Sequence, residues 1–213
     1  MVQNILSIDT SLESCSVSVA KGDDIHTIYE PMGRGQTERL LPMIVEACEA
    51  AEVCLDQMDA VAVTRGPGSF TGVRVGLSVA RTLSTIRDIP LYGVSCFQAL
   101  TGLMDPNIKT YALVIESKRN ELYFQPVFDG VAQTPLLLTR DQLDSDFADL
   151  PLFGNIEGAT PLPLNILTQS MIEQVRDGQI EQGNEKPLYL RNADISKSKK
   201  VYRTLSSDVV TNL

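Results

Sequence analysis

Three observations predict an α/β fold of two similar lobes. A hairpin-first run of strands and helices occurs twice, and Asp105-Pro106-Asn107 breaks both patterns between the two runs. The 213 residues are 43% hydrophobic and 21% charged, enough apolar material for one large domain or two small lobes.

The first 30 residues read as a β-meander. Asn4 to Asp9 is a short apolar run ending in an acid, and Cys15 to Ala20 alternates Val17 and Val19 with Ser16 and Ser18. Lys21-Gly22-Asp23-Asp24 marks a tight turn before Ile25 to Glu30. From Thr37 the period becomes helical, with Thr37 and Glu38 as the start signal and Pro42 absorbed in the first turns. Asp59 to Thr64 is a buried-strand run, followed by a glycine-rich loop, a helix over about 70–87, a strand at Leu91 to Val94 and a short helix opening at Ser95. The second half starts over with strands at Thr110 to Glu116 and Glu121 to Phe128 around the polar turn Ser117 to Asn120. An apolar run at Leu136 to Leu138, a capped helix at 139–146, a strand at Leu152 to Asn155 and a helix over about 165–176 complete it.

Composition excludes several functions. Eighteen Lys and Arg stand against 27 Asp and Glu, a net charge of −9, which disfavours this chain gripping nucleic acid or an anionic membrane alone. The charge is uneven. From Lys186 onward six basic residues meet two acids, a local +4 that leaves −13 for residues 1–185. One histidine, His26, rules out a metal site built from several imidazoles. Cys15, Cys48, Cys54 and Cys96 form no Cys-x-x-Cys clip and read as buried, reduced thiols. The N-terminus shows no basic segment followed by an apolar run, and no stretch reaches the ~18 apolar residues of a membrane span. The expected location is the cytoplasm.

The richest segment is Arg65-Gly66-Pro67-Gly68-Ser69-Phe70-Thr71-Gly72. A strand, a Gly-Pro-Gly-Ser loop and a helix can present backbone N–H groups and a helix dipole to an anion. The loop matches neither common phosphate-binding glycine motif and has no following Lys, so a tight turn capped by Ser69 or Thr71 serves equally well. Asp9-Thr10-Ser11 at the first strand's end is the second half of a candidate phosphate site made of Asp9, Thr10, Ser11, Gly66, Gly68 and Ser69; it is also good turn chemistry. A Ser-His-Asp arrangement would need His26 as its base, with no nucleophile elbow to serve. Glu116 and Glu121 read as a solvated acidic edge.

Two helices carry an interface signal. Gly72, Gly76 and Ala80 leave one face of the second helix bare, at about 1 kcal/mol for each glycine relative to alanine. On the first helix Leu40, Ile44, Ala47 and Ala51 form one apolar line and Leu41, Val45 and Cys48 the next. Two lines suggest a helix between its own sheet and a partner helix; burial within one large core is the alternative.

Ile5-Leu6-Ser7-Ile8-Asp9-Thr10-Ser11 with Glu13 and Cys15-Ser16-Val17 resembles the opening of the bacterial TsaB (YeaZ) family. Glu38-Arg39-Leu40-Leu41-Pro42-Met43-Ile44, the long Arg65 to Gly76 block, Glu121-Leu122-Tyr123, Gly154-Asn155 and Pro187-Leu188-Tyr189-Leu190-Arg191 follow in the family's order, over about residues 4–192. The resemblance implies a two-lobed actin-like ATPase (ASKHA, ribonuclease H-like) fold with mixed sheets flanked by helices. It divides the chain into an N-terminal lobe over 1–104, a C-terminal lobe over 105–192 and a basic tail over 193–213.

The resemblance also implies a glycoprotease-like non-peptidase without catalytic residues or metal. Its role would be as a scaffold for TsaD in forming threonylcarbamoyladenosine at position 37 of tRNAs reading codons that begin with A. TsaC would supply the adenylate, TsaE would be a further partner, and the chain alone would form a homodimer. No cofactor would be required, ATP or ADP with Mg²⁺ acting at the level of the complex, and tRNA would be met only through it. The implied interface joins Leu40, Leu41, Ile44 and Val45 to Gly72, Arg74, Val75, Gly76 and Val79. Two departures bear on inherited nucleotide chemistry: Gly35-Gln36-Thr37 stands where many members have a histidine, and Glu116-Ser117-Lys118-Arg119 replaces an Asp-Ala-Arg hairpin. The alternatives are an active phosphotransferase using Asp9, a residual protease, or a binding module gated by nucleotide.

Overall fold

The structure, a computed structural model, describes residues 3–117 and 120–190. The basic tail over 193–213, Arg191 and the Lys118-Arg119 pair lie outside them.

Strands β1 (Asn4–Asp9), β2 (Ser14–Lys21) and β3 (Asp24–Pro31) form the meander, and β4 (Ala60–Thr64) and β5 (Leu91–Val94) extend it in the order β3-β2-β1-β4-β5. The β1–β2 and β2–β3 pairs are antiparallel, while β1–β4 and β4–β5 are parallel, because a helix intervenes before each of the later strands. Those helices are α1 (Gln36–Ala50) and α2 (Phe70–Arg87). A short α3 (Cys96–Thr101) follows, capped by Ser95, whose hydroxyl accepts from the Gln98 N–H.

The second half repeats the plan. Strands β6 (Tyr111–Glu116) and β7 (Glu121–Phe128) make an antiparallel hairpin, and β8 (Val131–Ala132) and β9 (Leu136–Thr139) both pair with β7. Then α4 (Arg140–Asp146), opened by a Thr139–Gln142 capping box, leads to β10 (Leu152–Gly154), parallel to β6. Helix α5 (Leu167–Arg176) is the last helix or named strand among the described residues. Strand β8 had no sequence signal; two exposed residues after the Asp129-Gly130 turn carry no periodicity.

The sheets are joined by one core. Ile5, Ala62, Phe97, Leu100, Leu113, Ile115, Met171 and Ile172 meet between them, so the outer face of each sheet is left to α1 and α2 or to α4. Helix α5 follows the second sheet in sequence yet packs on β1 and β2 of the first. This explains the Ser16 and Ser18 positions, which alternation alone would assign to water. Both are buried, and their hydroxyls lie 2.9 and 2.7 Å from the Thr168 hydroxyl on α5. Both faces of β2 are therefore dry, one apolar and one hydroxyl-lined.

Two local expectations change. Helix α1 starts at Gln36 after Gly35, whose φ of 102° suits glycine, rather than at Thr37. Pro42 sits in its second turn on the exposed face, where water can satisfy the Glu38 carbonyl that the missing N–H leaves. Cys54 is exposed, unlike the other three cysteines, because it follows the Glu52 turn rather than lying within a helix.

Candidate functional site

At the carboxyl end of β1, Asp9, Thr10 and Ser11 are all buried and turned inward. Asp9 Oδ1 accepts three bonds: from the Ser11 N–H at 3.0 Å, the Ser11 hydroxyl at 2.5 Å and the Thr64 hydroxyl at 2.6 Å. Its Oδ2 is buried without a partner among the described residues. The Thr10 hydroxyl donates to the Gly72 carbonyl at 2.7 Å, locking β1 to the first turn of α2. Ser11 Oγ lies 3.0 Å from Cys96 Sγ. Burial, with the Asp9 charge adding, pushes the Cys96 thiol upward despite the Ser11 hydrogen bond, so it stays neutral.

The glycine loop closes over this strand end. Ser69 N–H donates to the Ser11 carbonyl at 2.7 Å, and Ser69 Oγ caps α2 by accepting from the Gly72 N–H at 3.3 Å. A Cβ on Gly68 would stand 2.2 Å from the Ser11 carbonyl oxygen, and one on Gly72 1.8 Å from that of Thr10. Gly68 and Ser69 thus meet Ser11, and Gly72 meets Thr10, through close backbone packing, whereas Gly66 turns to Leu188 and Cys96. This geometry fits the capped-turn reading of the loop. Thr64 and Cys96 belong to this cluster and were missed; Thr64, the last residue of a buried strand run, was the available signal.

The interface residues divide into two groups. Leu40, Ile44, Gly72 and Gly76 are buried in the chain's own core and offer nothing to a partner, contrary to expectation. Gly76 faces Thr10, Val63 and Ile8, so the bare stripe of α2 admits β1 and β4 rather than another subunit. Leu41 and Val45 on α1 are 56% and 51% exposed. Val75 and Val79 on α2 are half-buried and pack at the edge of the same core that holds α1. Leu41 and Val45 remain available on the outer face of α1, and Val75 and Val79 are only part-exposed on α2. Arg39 fixes α1 against β3, donating to Glu30 at 2.9 Å and to Glu46 at 2.8 Å and holding both carboxyls below the usual range.

Arg74 turns to the other flank of α2. Its guanidinium stacks 3.7 Å above the Phe70 ring and its Nε donates to the Tyr189 hydroxyl at 3.1 Å. Tyr189 lies on a strap running from Gly183, whose carbonyl accepts from Gly93 N–H, past Leu188, whose N–H donates to the Arg65 carbonyl. His26 is exposed on β3, away from the strand-end cluster. Glu116 ends β6 beside Asn155, whose side-chain oxygen accepts its N–H at 2.9 Å. Among the described residues no group of three or more His, Cys, Asp or Glu is placed to hold a metal ion. No helix among them is long and apolar enough to cross a membrane.

A five-stranded sheet of order 3-2-1-4-5, a second hairpin-led sheet and helices between and outside them define an actin-like, ribonuclease H-like protein. Residues 24–148, more than half the chain, match the family model described as TsaD: tRNA N6-adenosine threonylcarbamoyltransferase. The chain is 36% identical over 148 residues to the tRNA threonylcarbamoyladenosine biosynthesis protein TsaB of Haemophilus influenzae, covering 68% of this chain and 58% of that one. It is 35% identical over 122 residues to TsaB of Escherichia coli, covering 56% and 53%. It therefore spans little more than half the length of these curated relatives. A solved Pseudomonas aeruginosa protein with similarity to the peptidase YeaZ is 25% identical, with a TM-score of 0.71 over 89% of this chain and all of that one. A second solved structure, YeaZ from the same organism, shares the fold at 24% identity and a TM-score of 0.69, over 88% of this chain and all of that one. The chain belongs to this threonylcarbamoyladenosine family, on its TsaB (YeaZ) side.

Proposed function

We propose that this chain is a non-catalytic subunit of the machinery that makes threonylcarbamoyladenosine at position 37 of tRNA. It would dock the outer face of α1 and α2 on TsaD and hold that subunit in its active geometry. The observation that carries this reading is the exposure of Leu41 and Val45 on α1, with Val75 and Val79 part-exposed on α2, both helices being anchored to their own sheet. Burying such side chains against a second helix pair contributes about 25 cal/mol per Å² of apolar surface. On this reading the same exposed apolar side chains would also pair two copies of this chain when TsaD is absent, as an isologous contact.

The non-catalytic part of the reading is supported by the strand end. Asp9, Thr10 and Ser11 are engaged in internal bonds that lock α2 to β1, which favours a structural role for residues of this type. ATP or ADP with Mg²⁺ then acts at the level of the complex, TsaE is a further partner, and tRNA is met through the complex. The working compartment on this reading is the cytoplasm.

Leu41→Asp and Val45→Asp test it. Each should abolish co-purification with TsaD while thermal unfolding stays near that of the parent, since both side chains are half-exposed. Full capture of TsaD by the double variant would overturn the docking reading. Metal-dependent ATP turnover by the purified chain, lost in Asp9→Asn, would overturn the non-catalytic one.

A further inference from the structure

We propose that the flank of α2 facing the strap over 183–190 binds an unstacked nucleotide of single-stranded RNA. The proposal rests on the reading above only for the kind of nucleic acid. The surface is separate from the docking patch. Val75 and Val79 pack against the core of the first sheet, whereas Arg74 and Arg81 reach the strap, Arg74 to the Tyr189 hydroxyl and Arg81 to the Glu185 carbonyl.

Two aromatic rings are exposed here, Phe70 at 53% and Tyr189 at 45%, with centroids 5.5 Å apart and planes 31° from parallel. They come from opposite ends of the fold, one opening α2 and one on the strap. Arg74 lies across Phe70 and is tied to Tyr189, so its guanidinium is held in place beside the rings before any ligand arrives. Lys186 is exposed on the same strap, and Arg81 is partly exposed beneath it.

Charge singles this patch out. Residues 1–185 carry −13, which repels polyanions over most of the surface, yet Arg74, Arg81 and Lys186 gather within one helix flank and its strap. Glu185 balances only part of that charge through Arg81. Arg74 covers one face of Phe70, so the ring left to stack on a base is Tyr189, and an exposed ring beside fixed cations takes a base by stacking and its phosphates by charge. A protein partner of the α1–α2 kind would find little aliphatic surface here.

The test is fluorescence anisotropy of the purified full chain with 5′-fluorescein-labelled octauridylate, titrated at several salt concentrations from ~50 mM upward. Tyr189→Ala should weaken binding ~10-fold, the loss of one stacked base, while Tyr189→Phe keeps the ring and most of the affinity. Arg74→Gln should lower the salt slope by ~0.7, one phosphate contact on a single strand. Thermal unfolding of each variant separates lost binding from lost fold, and if Tyr189→Ala does not fold, Tyr189→Phe and Arg74→Gln decide. No binding by the parent chain at the lowest salt, or equal binding by Tyr189→Ala, overturns the proposal. So does loss of TsaD capture by Tyr189→Ala with RNA binding intact, which would make the patch a protein contact. Because the RNA titration contains no TsaD, its failure is distinct from failure of the docking reading.

Discussion

Replacing Gly72 with alanine sets helix propensity against packing, and the structure says which wins. Propensity favours the change by about 1 kcal/mol, since glycine inside a helix is the poorer residue. The new Cβ, however, would lie 1.8 Å from the Thr10 carbonyl oxygen, a backbone atom with no rotamer to escape into. Reaching even a 3.0 Å contact would need a shift of ~1.2 Å between β1 and α2, in a close-packed interior. Overpacking of this kind costs ~1–3 kcal/mol. The shift also breaks the 2.7 Å bond from the Thr10 hydroxyl to the Gly72 carbonyl, leaving buried polar groups unpaired at ~1–3 kcal/mol more. After the propensity gain the net destabilisation is ~1–5 kcal/mol, or a fall in Tm of ~2–20 °C for a chain of this size. Thermal unfolding followed by circular dichroism measures it, with Ser78→Ala on the exposed face of the same helix as a control expected within ~0.5 kcal/mol. A Tm for Gly72→Ala equal to or above the parent's would refute the close approach of β1 to α2.

Three other outcomes follow from the geometry. Cys54 should react with a maleimide in the folded chain within minutes, while Cys15, Cys48 and Cys96 react only on unfolding; prompt labelling of more than one thiol contradicts their burial. Burial pushes the Cys15 and Cys48 thiols up to about 12 and about 11, with Asp9 adding at Cys15 and Cys54 at Cys48. The unfolded chain then loses these protons first above pH 9, so stability should fall as pH rises toward 11, and less steeply in Cys15→Ala when urea midpoints are compared. Arg39 holds Glu30 and Glu46 below the ordinary value of 4.5 chiefly through its hydrogen bonds, so their contribution is present above that pH and fades as pH falls below it. Arg39→Met should flatten this acid limb; an unchanged limb would show that other carboxylates govern it.

Most of the fold was legible because its signals are local. The ranges of α2, β5 and β7 follow from period, a capping serine and turn residues, all carried within a few positions of the chain. The candidate site was legible in membership but not in meaning. Asp9, Thr10, Ser11, Gly68 and Ser69 do meet, with Gly66 turned to Leu188, yet whether such a loop opens to an anion or closes on its own strand depends on a neighbour about 60 residues away. Gly72 and Gly76 illustrate the same limit. A bare helix face says that something approaches closely, and sequence spacing cannot distinguish a partner's helix from the chain's own β1. Arg74 stands with Val75 and Val79 in the interface the resemblance implies, but one residue of helix is about 100° of rotation, and its side chain reaches Phe70 and Tyr189 instead.

The composition still stands where it began. The sequence by itself determined an acidic chain with one histidine, two hairpin-led α/β halves and a glycine block specific enough to mark its family, because those properties need no knowledge of distant contacts. Tertiary structure alone decided which apolar residues face outward, that Asp9 is bound up in its own fold, and that a strap from the far end lays Tyr189 against Phe70 and Arg74. Each of these depends on which segments, far apart in the chain, pack within van der Waals reach, and no periodicity within a single segment records that.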